Sequence, residues 1–294
     1  MFFPGFETRR VAGAGADIHL RIGGSGPPLL LLHGYPQTHV MWHKVAPMLA
    51  RHFTLVLPDL RGYGESGKPP SDDAHLVYSK RATAADMVAV MAQLGFKQFR
   101  LAGHDRGARV AHRLSLDHPQ AVQRLALLDI VPTLTMFGRM NQAIASGYYH
   151  WLFLIQPNGH PERMIGADPD YYITSKLGAW AADASVFTPE AVAEYQRCFR
   201  DPACIHATCE DYRAGASIDL EHDRADLDKR IQAPLLVLWG AQGQISRHFD
   251  VLGCWREKAV NVKGLGLPCG HFLPEERPED TARAVLDFMR EAAV

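Results

Sequence analysis

One five-residue segment, Gly103-His104-Asp105-Arg106-Gly107, carries the first sign of chemistry in this chain. It follows the apolar run Phe99 to Ala102. Glycines around a central residue are typical of the nucleophile elbow, a sharp turn that lifts the central side chain above a sheet. A carboxylate that displaces a leaving group from saturated carbon forms an ester that water can cleave, whereas a serine would leave a stable ether. Asp105 therefore indicates displacement at saturated carbon through a covalent ester.

His271 is the predicted base for hydrolysis of that ester. It follows the last strand signal, in agreement with the chain order nucleophile, acid, histidine. An acid must hold its imidazole in the correct tautomer. The loop after the apolar run Pro234 to Trp239 reads Gly240-Ala241-Gln242-Gly243-Gln244 and contains no acid. Asp129, which ends the strand after the elbow helix, is therefore the predicted acid, with a helix N-cap as its alternative role.

The apolar runs of the chain predict an α/β fold, a mostly parallel sheet flanked by helices. The predicted strands cover residues 28–32, 53–57, 99–102, 125–128 and 234–239, with a weaker strand near 260–265. The predicted helices cover residues 79–94, the segment from the elbow through Asp117, and residues 278–290.

Between Ile130 and about Gly215 the sequence changes character. Aromatic segments broken by prolines, with helical periodicity, replace the strand pattern. The sequence therefore predicts an α-helical cap domain, residues 130–215, inserted into a core domain formed by residues 1–129 and 216–294. Ligand sites in such sheets lie beyond the carboxyl ends of the strands, where this cap would cover the site and exclude water.

Composition narrows the class of ligand. The 294 residues carry a formal net charge of −1, which provides no electrostatic footprint for nucleic acid or for an anionic membrane. No apolar stretch approaches the roughly 18 residues of a membrane span, and the start of the chain lacks the apolar segment of a signal peptide. We therefore expect a cytoplasmic protein whose partner is a small molecule.

Cysteine and histidine patterns give no indication of a metal site. Five cysteines without a C-x-x-C pair fit reduced thiols, and Cys198, Cys204 and Cys209 are expected to pack as small apolar side chains. The fifteen histidines show no H-E-x-x-H or comparable ligand spacing, so no metal is predicted. Walker A and G-x-G-x-x-G patterns are absent too, and no cofactor is expected.

Four segments of the chain occur in the order found in α/β-hydrolase-fold dehalogenases and epoxide hydrolases, which the chain resembles over nearly its whole length. They are His33-Gly34-Tyr35-Pro36, Asp59-x-Arg61-Gly62-x-Gly64-x-Ser66, Gly103-His104-Asp105-Arg106-Gly107 and Gly270-His271-Phe272. Within that group the chain looks most like the haloacetate dehalogenases, particularly those that act on fluoroacetate. The resemblance implies hydrolysis of fluoroacetate or chloroacetate to glycolate and halide through an aspartyl ester, without a cofactor, by a homodimer.

Arg106 distinguishes the chain from haloalkane dehalogenases and epoxide hydrolases, which usually carry tryptophan just after the nucleophile. An arginine at this position implies an anionic substrate. Arg109 lies three residues further along the same predicted helix, so both guanidinium groups can share one face of its first turn and clamp a carboxylate. Arg113, one turn beyond, is expected to lie on the surface.

The resemblance also assigns the binding of the leaving group. His150, Trp151 and Tyr212 of the predicted cap match the halide pocket of the fluoroacetate dehalogenases. Their imidazole N–H, indole N–H and phenol O–H together make three hydrogen-bond donors.

The charge that develops on the ester carbonyl needs an oxyanion hole. In this fold the donors are the backbone N–H after the nucleophile and one from an earlier strand loop, here Arg106 and Tyr35. His33 and Gly34 are expected to support that loop and not to react themselves.

Two alternative functions remain open at this point. An epoxide hydrolase would use the same Asp-His-Asp machinery, and cap tyrosines would protonate the opening oxygen; the chain offers Tyr148, Tyr149, Tyr171, Tyr172 and Tyr212. Arg106 argues against this activity because an epoxide has no carboxylate to clamp. A catalytically idle binding protein would keep the pocket and lose the chemistry, and the intact Asp105, His271 and Asp129 argue against it.

Overall fold

A computed structural model describes residues 2–291 of the chain. Within that range, eight strands form one sheet. The strands are β1 (Glu7–Ala12), β2 (Asp17–Gly24), β3 (Pro28–Leu32), β4 (Thr54–Pro58), β5 (Phe99–His104), β6 (Val122–Leu128), β7 (Leu235–Gly240) and β8 (Val262–Leu267). Their order across the sheet is β1-β2-β4-β3-β5-β6-β7-β8. β2 pairs antiparallel with β1 and β4, and all the other neighbours pair in parallel.

Helices cover the sheet and fill the long connection between β6 and β7. The α-helices are α1 (Ala46–Leu49), α2 (Lys80–Gln93), α3 (Arg106–Asp117), α4 (Thr133–Gly138), α5 (Gln142–Gly147), α6 (Tyr149–Phe153), α7 (His160–Ala167), α8 (Pro169–Trp180), α9 (Pro189–Phe199), α10 (Pro202–Ala216), α11 (Ile218–Ala225), α12 (Gln244–His248), α13 (Val251–Arg256), α14 (Leu273–Glu276) and α15 (Pro278–Arg290). Short 3-10 helices lie at His39–Trp42, Leu76–Tyr78 and Ala184–Val186. In residues 2–291 no helix is both long enough and apolar enough to cross a membrane.

The predicted α/β fold is confirmed. Leu29 to Leu32 of β3 are fully buried, as expected for a parallel strand that is covered on both faces. The hairpin of β1 and β2 was not anticipated, because β1 is almost entirely exposed and carries Arg9 and Arg10 in place of an apolar face. Charged side chains of this kind protect an edge strand from pairing with another chain.

The elbow between β5 and α3 has the strained backbone that its glycines permit. Asp105 has φ +46° and ψ −114°, a conformation that residues with a Cβ rarely adopt. A Cβ on Gly103 would lie 2.5 Å from the carbonyl oxygen of Gly107, and one on Gly107 would lie 2.3 Å from that of His33. Only glycine therefore lets α3 begin this close to β3 and β5.

The segment between β6 and β7 is helical, from α4 through α11. Asp201 is the N-cap of α10, and its side chain accepts a hydrogen bond from the backbone N–H of Ala203. Pro202 occupies the first turn of the helix. The helix is buried over most of its length and brings Asp211 and Tyr212 to α3. The cysteines of α9 and α10 are buried free thiols, which confirms their predicted packing.

Candidate active site

The three predicted catalytic side chains lie together at the carboxyl ends of β5, β6 and β8. Nδ1 of His271 is 2.6 Å from Oδ2 of Asp129, and Nε2 of the same ring is 4.0 Å from Oδ2 of Asp105. The other oxygen of Asp129 accepts the backbone N–H of Gly240 at 2.9 Å. The last residue of β7 thus supplies a backbone donor that orients the acid, which directly follows β6.

The charges of this group set the protonation of the base. Burial alone would lower the pKa of His271, but the hydrogen bond and charge of Asp129 and the charge of Asp105 raise it above its usual value. Burial would raise the pKa of Asp105, and the positive charges around it, led by His271, hold it below its usual value instead. Asp105 is therefore ionised at neutral pH, as a nucleophilic carboxylate must be.

The loop after β3 presents a donor to the nucleophile. The backbone N–H of Tyr35 donates to Oδ1 of Asp105 at 2.9 Å. The N–H of Arg106 belongs to the first turn of α3, where a helix provides no acceptor for it. A Cβ on Gly34 would lie 2.5 Å from the Cβ of Asp105, so glycine allows the loop to come this close.

The side chain of His33 stabilises the loop after β3 through two hydrogen bonds. Burial lowers the pKa of His33 to about 4, so its ring is neutral. Nδ1–H donates to the carbonyl oxygen of Gly34 at 3.0 Å, and Nε2 accepts from the backbone N–H of Leu60 at 2.9 Å. The ring therefore connects the loop after β3 to the loop after β4, in a purely structural contact.

The two predicted carboxylate-binding arginines have different surroundings. Nε of Arg106 donates to Oδ2 of Asp211 at 2.7 Å, and its Nη2 donates to the carbonyl oxygen of the same residue at 2.7 Å. Nη1 of Arg109 donates to the carbonyl oxygen of Val131 and to Oγ1 of Thr133, each at 3.0 Å. Within residues 2–291, Arg109 has no carboxylate partner, and its Nε is buried without an acceptor.

Asp211 is a functional-site residue that the sequence analysis missed. Besides Arg106, it accepts the hydroxyl of Tyr63 at 2.9 Å and forms a buried ion pair with Lys80. Burial would raise the pKa of Asp211, but Arg106 and Lys80 hold it far below its usual value. Only the adjacency of this acid to Tyr212 in the sequence could have indicated its role.

The predicted halide-binding side chains cluster with Arg106 and Arg109. The rings of His150 and Trp151 lie 5.6 Å and 6.0 Å from the ring of Tyr212. The guanidinium carbon of Arg106 is 4.1 Å from the centre of the Tyr212 ring, and that of Arg109 is 4.6 Å from the Trp151 ring. All three aromatic side chains are buried.

Besides Nε of Arg109, two polar atoms of this cluster have no partner within residues 2–291. The hydroxyl of Tyr212 and Nδ1 of His150 are buried without a hydrogen bond. Burial, aided by the charge of Asp105, raises the pKa of Tyr212 well above its usual value, and burial lowers the pKa of His150 well below its own. The phenol therefore keeps its proton and the imidazole is neutral. Buried donors without partners are uncommon and point to a ligand.

A cavity of about 320 Å³ leads to the nucleophile. Its lining includes Asp105, His271, His150, Tyr148, Trp180, Gln242 and Arg247. The other predicted binding residues, Arg106, Arg109, Trp151 and Tyr212, are not part of this lining; the ring of Tyr212 lies 5.6 Å from that of His150, which is. Tyr148 and Trp180 are site residues that the sequence analysis did not single out as lining, because nothing in their spacing shows which helix face meets the core.

The prediction that Arg113 lies on the surface is wrong. Its side chain is 3% exposed, and its Nη1 donates to Oδ2 of Asp226 at 2.6 Å and to Oδ1 of Asp117 at 3.1 Å. Asp226 directly follows α11, which comes back to cover this face of α3. The sequence pattern of α3 alone gives no sign of that cover.

One cluster in residues 2–291 combines two histidines and an acid at ligand-like spacing. The ring nitrogens of His19 and His39 and the carboxylate of Asp59 lie within 4.8 Å of one another. Nδ1 of His39 is 2.7 Å and Nδ1 of His19 is 3.1 Å from Asp59, and the same carboxylate accepts the backbone N–H groups of His39 and Glu65. Protein donors therefore already engage both oxygens, which is the geometry of a hydrogen-bond network.

Comparisons with known proteins agree with this geometry. The sequence profile of the alpha/beta hydrolase fold family matches residues 27–278. A fluoroacetate dehalogenase from Burkholderia sp is 47% identical over 291 residues, which cover 99% of this chain and 96% of that protein. A soluble epoxide hydrolase from Corynebacterium sp. (strain C12) is 34% identical over 282 residues, 93% of this chain and 94% of that protein. A crystal structure of an α/β-hydrolase-type protein from Nostoc sp PCC 7120 superposes with a TM-score of 0.97 at 58% identity, covering 98% of this chain and 99% of that one.

Proposed function

This chain belongs to the α/β-hydrolase family, and within it we propose that the protein hydrolyses haloacetates to glycolate and halide. First, Asp105 attacks the halogen-bearing carbon in line with the halide, so that an ester bond forms as the carbon–halogen bond breaks. His271, held by Asp129, then takes a proton from a water whose oxygen attacks the ester carbonyl. Glycolate and a proton leave, and Asp105 regains its carboxylate.

The loop after β3 supports the second step. The tetrahedral intermediate of ester hydrolysis carries its charge on the former carbonyl oxygen of Asp105, and donors fixed in advance stabilise that charge. The backbone N–H of Tyr35 already donates to Oδ1 of Asp105. With the N–H of Arg106, it would form the oxyanion hole.

The observation that carries the proposal is the buried charge of Arg109. Burial and the neighbouring Arg106 lower the pKa of Arg109 to about 10, so the group is still a cation at neutral pH. No carboxylate in residues 2–291 pairs with it, although a buried charge is costly without a partner. The carboxylate of a haloacetate bound beside Asp105 would supply that partner, and neither an epoxide nor an alcohol would do so.

The halide would leave toward the cap aromatics. The hydroxyl of Tyr212 and Nδ1 of His150 have no partner within residues 2–291. Their rings lie 5.6 Å apart, and Trp151 adds an indole N–H to the same cluster. His150 lines the cavity together with Asp105. These donors would stabilise the anion as it forms, with Arg106 fixed behind them by Asp211.

The organisation of the chain is proposed along the same lines. Residues 130–215 would form a cap domain over a core of residues 1–129 and 216–294, with the cavity between the two.

All the cysteines are buried free thiols, which supports a reducing cytoplasmic location. A homodimer is supported by apolar side chains exposed on the cap helices, Leu152, Met164 and Tyr171; light scattering that gives the mass of one chain would refute it.

The deciding experiment is a halide-release assay with fluoroacetate, chloroacetate and styrene oxide as separate substrates. We expect equal amounts of halide and glycolate from the two haloacetates, no diol from styrene oxide, and no turnover by Asp105→Asn. Hydrolysis of styrene oxide without halide release would favour an epoxide hydrolase. Binding of haloacetate without any turnover would favour an idle binding protein.

The covalent step has its own test in the variant His271→Asn. Alkylation of Asp105 needs no base, whereas hydrolysis of the ester does, so incubation with bromoacetate should add the mass of one carboxymethyl group to the peptide that carries Asp105. A variant that releases halide at the native rate and stays unmodified would contradict the two-step scheme. The double variant Asp105→Asn with His271→Asn is the control for alkylation elsewhere.

A further inference from the structure

A single carboxylate behind the site holds the loop that carries His271. Glu276 is the last residue of α14, five positions after the histidine. Its Oε1 accepts the backbone N–H of Phe272 at 2.9 Å, and its Oε2 accepts the N–H groups of Gly270 at 2.9 Å and of Ala182 at 2.8 Å. One side chain thus binds the amides on both sides of His271 and one amide of the segment that follows α8.

The peptide groups of His271 itself are fixed by two further contacts. Its N–H donates to the carbonyl oxygen of Trp180 at 2.9 Å. Its carbonyl oxygen is 2.8 Å from Nε2 of His104. Burial lowers the pKa of His104 to about 3, so the ring is neutral and donates its single N–H to this oxygen. Every backbone N–H from Gly270 to Phe272 is therefore bound.

The cap segment approaches this loop unusually closely. A Cβ on Gly270 would lie 2.5 Å from the backbone nitrogen of Ala182 and 2.5 Å from the carbonyl oxygen of Trp180. The ring of Trp180 lies 5.7 Å from the ring of His271 and 4.4 Å from that of His150. The glycine thus brings the end of α8 within reach of Glu276, and the same tryptophan contacts the base and the cavity wall.

We propose that Glu276 is the positioning residue of the base. Its carboxylate accepts the amides on both sides of His271 and the amide of Ala182, and it thereby fixes the His271 loop against the segment that follows α8. The proposal rests on the proposed function, since it assigns His271 to the ester-hydrolysis step alone. Three amides converge on two carboxylate oxygens, an arrangement that a neutral amide side chain cannot reproduce because one of its two polar atoms is itself a donor. Loss of the carboxylate should therefore loosen the imidazole relative to Asp105.

The charge of Glu276 adds an electrostatic effect. It contributes to the raised pKa of His271, after the hydrogen bond and charge of Asp129 and the charge of Asp105. The ring of His104 lies 4.5 Å from that of His271, and His150, Tyr148 and Arg247 line the same cavity as His271. Burial keeps His104, His150 and Tyr148 in their neutral forms by lowering the pKa of both imidazoles and raising that of the phenol. Removing Glu276 therefore removes one of the three negative charges that raise the pKa of His271.

The test separates alkylation from ester hydrolysis in Glu276→Gln, with Glu279→Gln as the matched control. This control loses the same charge three residues away, where the side chain of Glu279 is exposed and has no hydrogen-bond or ion-pair partner among residues 2–291. After a pulse of bromoacetate, mass spectrometry follows the adduct on Asp105. We expect Glu276→Gln to form the ester at the native rate and to lose it about tenfold more slowly or worse, since small displacements of a catalytic group cost up to about a hundredfold.

The second measurement does not depend on turnover. An NMR titration of the His271 ring should give a lower pKa in Glu276→Gln than in the native protein and the native pKa in Glu279→Gln. Slow ester decay with an unchanged pKa of His271 would overturn the proposal, because the imidazole would then have kept its position beside Asp129 and Asp105. Decay at the native rate would overturn it too. The absence of any Asp105 adduct in native protein and in His271→Asn would contradict the proposed function instead.

Discussion

Nε2 of His271 and Oδ2 of Asp105 face each other across 4.0 Å. This gap is too long for a direct hydrogen bond and is suited to a water between the base and the carboxylate. Asp105 is held ionised by the positive charges around it, so it needs no base for its own attack. The spacing therefore fits a histidine that acts on water after the nucleophile has reacted.

The first prediction concerns the pH dependence of ester hydrolysis. The charge of Asp105 helps to raise the pKa of His271 in the free protein, and esterification removes that charge. The pKa of His271 should therefore fall when the ester forms. The histidine acts as a base only in its neutral form. Ester decay should therefore remain fast at pH values at which His271 of the free protein is already protonated. Stopped-flow decay across pH, compared with an NMR titration of the free protein, measures the difference. Equal midpoints would contradict it.

Much of the site could be predicted from sequence because the elbow and the strand ends impose their own geometry. A parallel sheet brings the ends of β5, β6 and β8 to one edge, so Asp105, Asp129 and the loop of His271 must converge there. Tyr35 follows from the same rule, since β3 lies beside β5. These residues needed only their position relative to strands.

The contacts that the helices between β6 and β7 make with α2 and α3 could not be predicted in this way. Asp211 lies on a helix, and its spacing along α10 gives a face but not the helix that this face meets. Its partner Lys80 is 131 residues away in the chain. Arg113 was assigned to the surface for the same reason, because its acid Asp226 comes from a segment 113 residues further on.

The second prediction concerns Arg109, with Arg283 as its control. Arg109→Leu should reduce turnover of chloroacetate by at least about tenfold, because charge-assisted hydrogen bonds contribute roughly 1.5 to 3 kcal/mol each. Arg283→Leu, on an exposed position of α15, should leave it unchanged. Kinetics on chloroacetamide, which lacks the carboxylate, should show a much smaller loss. Equal turnover of the amide and the acid by native protein would refute the clamp.

The same Arg109 variant makes a prediction about stability. Arg109 has no carboxylate partner in residues 2–291, so its removal relieves the cost of a buried charge, and this offsets the loss of its hydrogen bonds to Val131 and Thr133. The free energy of unfolding should therefore not fall, because a preorganised binding site is held at a cost to the fold. Urea denaturation of native protein and of Arg109→Leu tests this. A large loss of stability in the variant would mean that Arg109 is a structural residue.

The third prediction concerns Asp211, which pairs with Arg106 and Lys80. Asp211→Asn keeps the shape of the side chain but leaves buried Arg106 without an acid and leaves Lys80 with Asp219 alone, so we expect a loss of about 3–5 kcal/mol in the free energy of unfolding. Asp170→Asn removes an exposed ion pair with Arg200 and should change stability far less. Similar changes in the two variants would show that the Asp211 cluster does not hold α10 against α3.

The last prediction tests whether Tyr212 and Trp151 bind the departing halide. Fluoride carries concentrated charge and leaves slowly, so it depends most on donors that act more strongly in the transition state than in the ground state. Tyr212→Phe removes a single hydroxyl that has no partner in the described part of the chain, and Trp151→Phe removes the indole donor and keeps an aromatic ring. Each should reduce fluoroacetate turnover by roughly tenfold or more and bromoacetate turnover by much less.

A matched control for that experiment is Tyr171→Phe, which removes the hydroxyl of a tyrosine that is 71% exposed on α8. It should affect neither substrate. Initial rates of fluoride and bromide release, measured at saturating substrate for all three variants, give the ratio on which the prediction depends. A donor to the halide must contribute more to turnover as the halide becomes a poorer leaving group. Equal losses of fluoroacetate and bromoacetate turnover in Tyr212→Phe would therefore show that the hydroxyl shapes the pocket without binding halide.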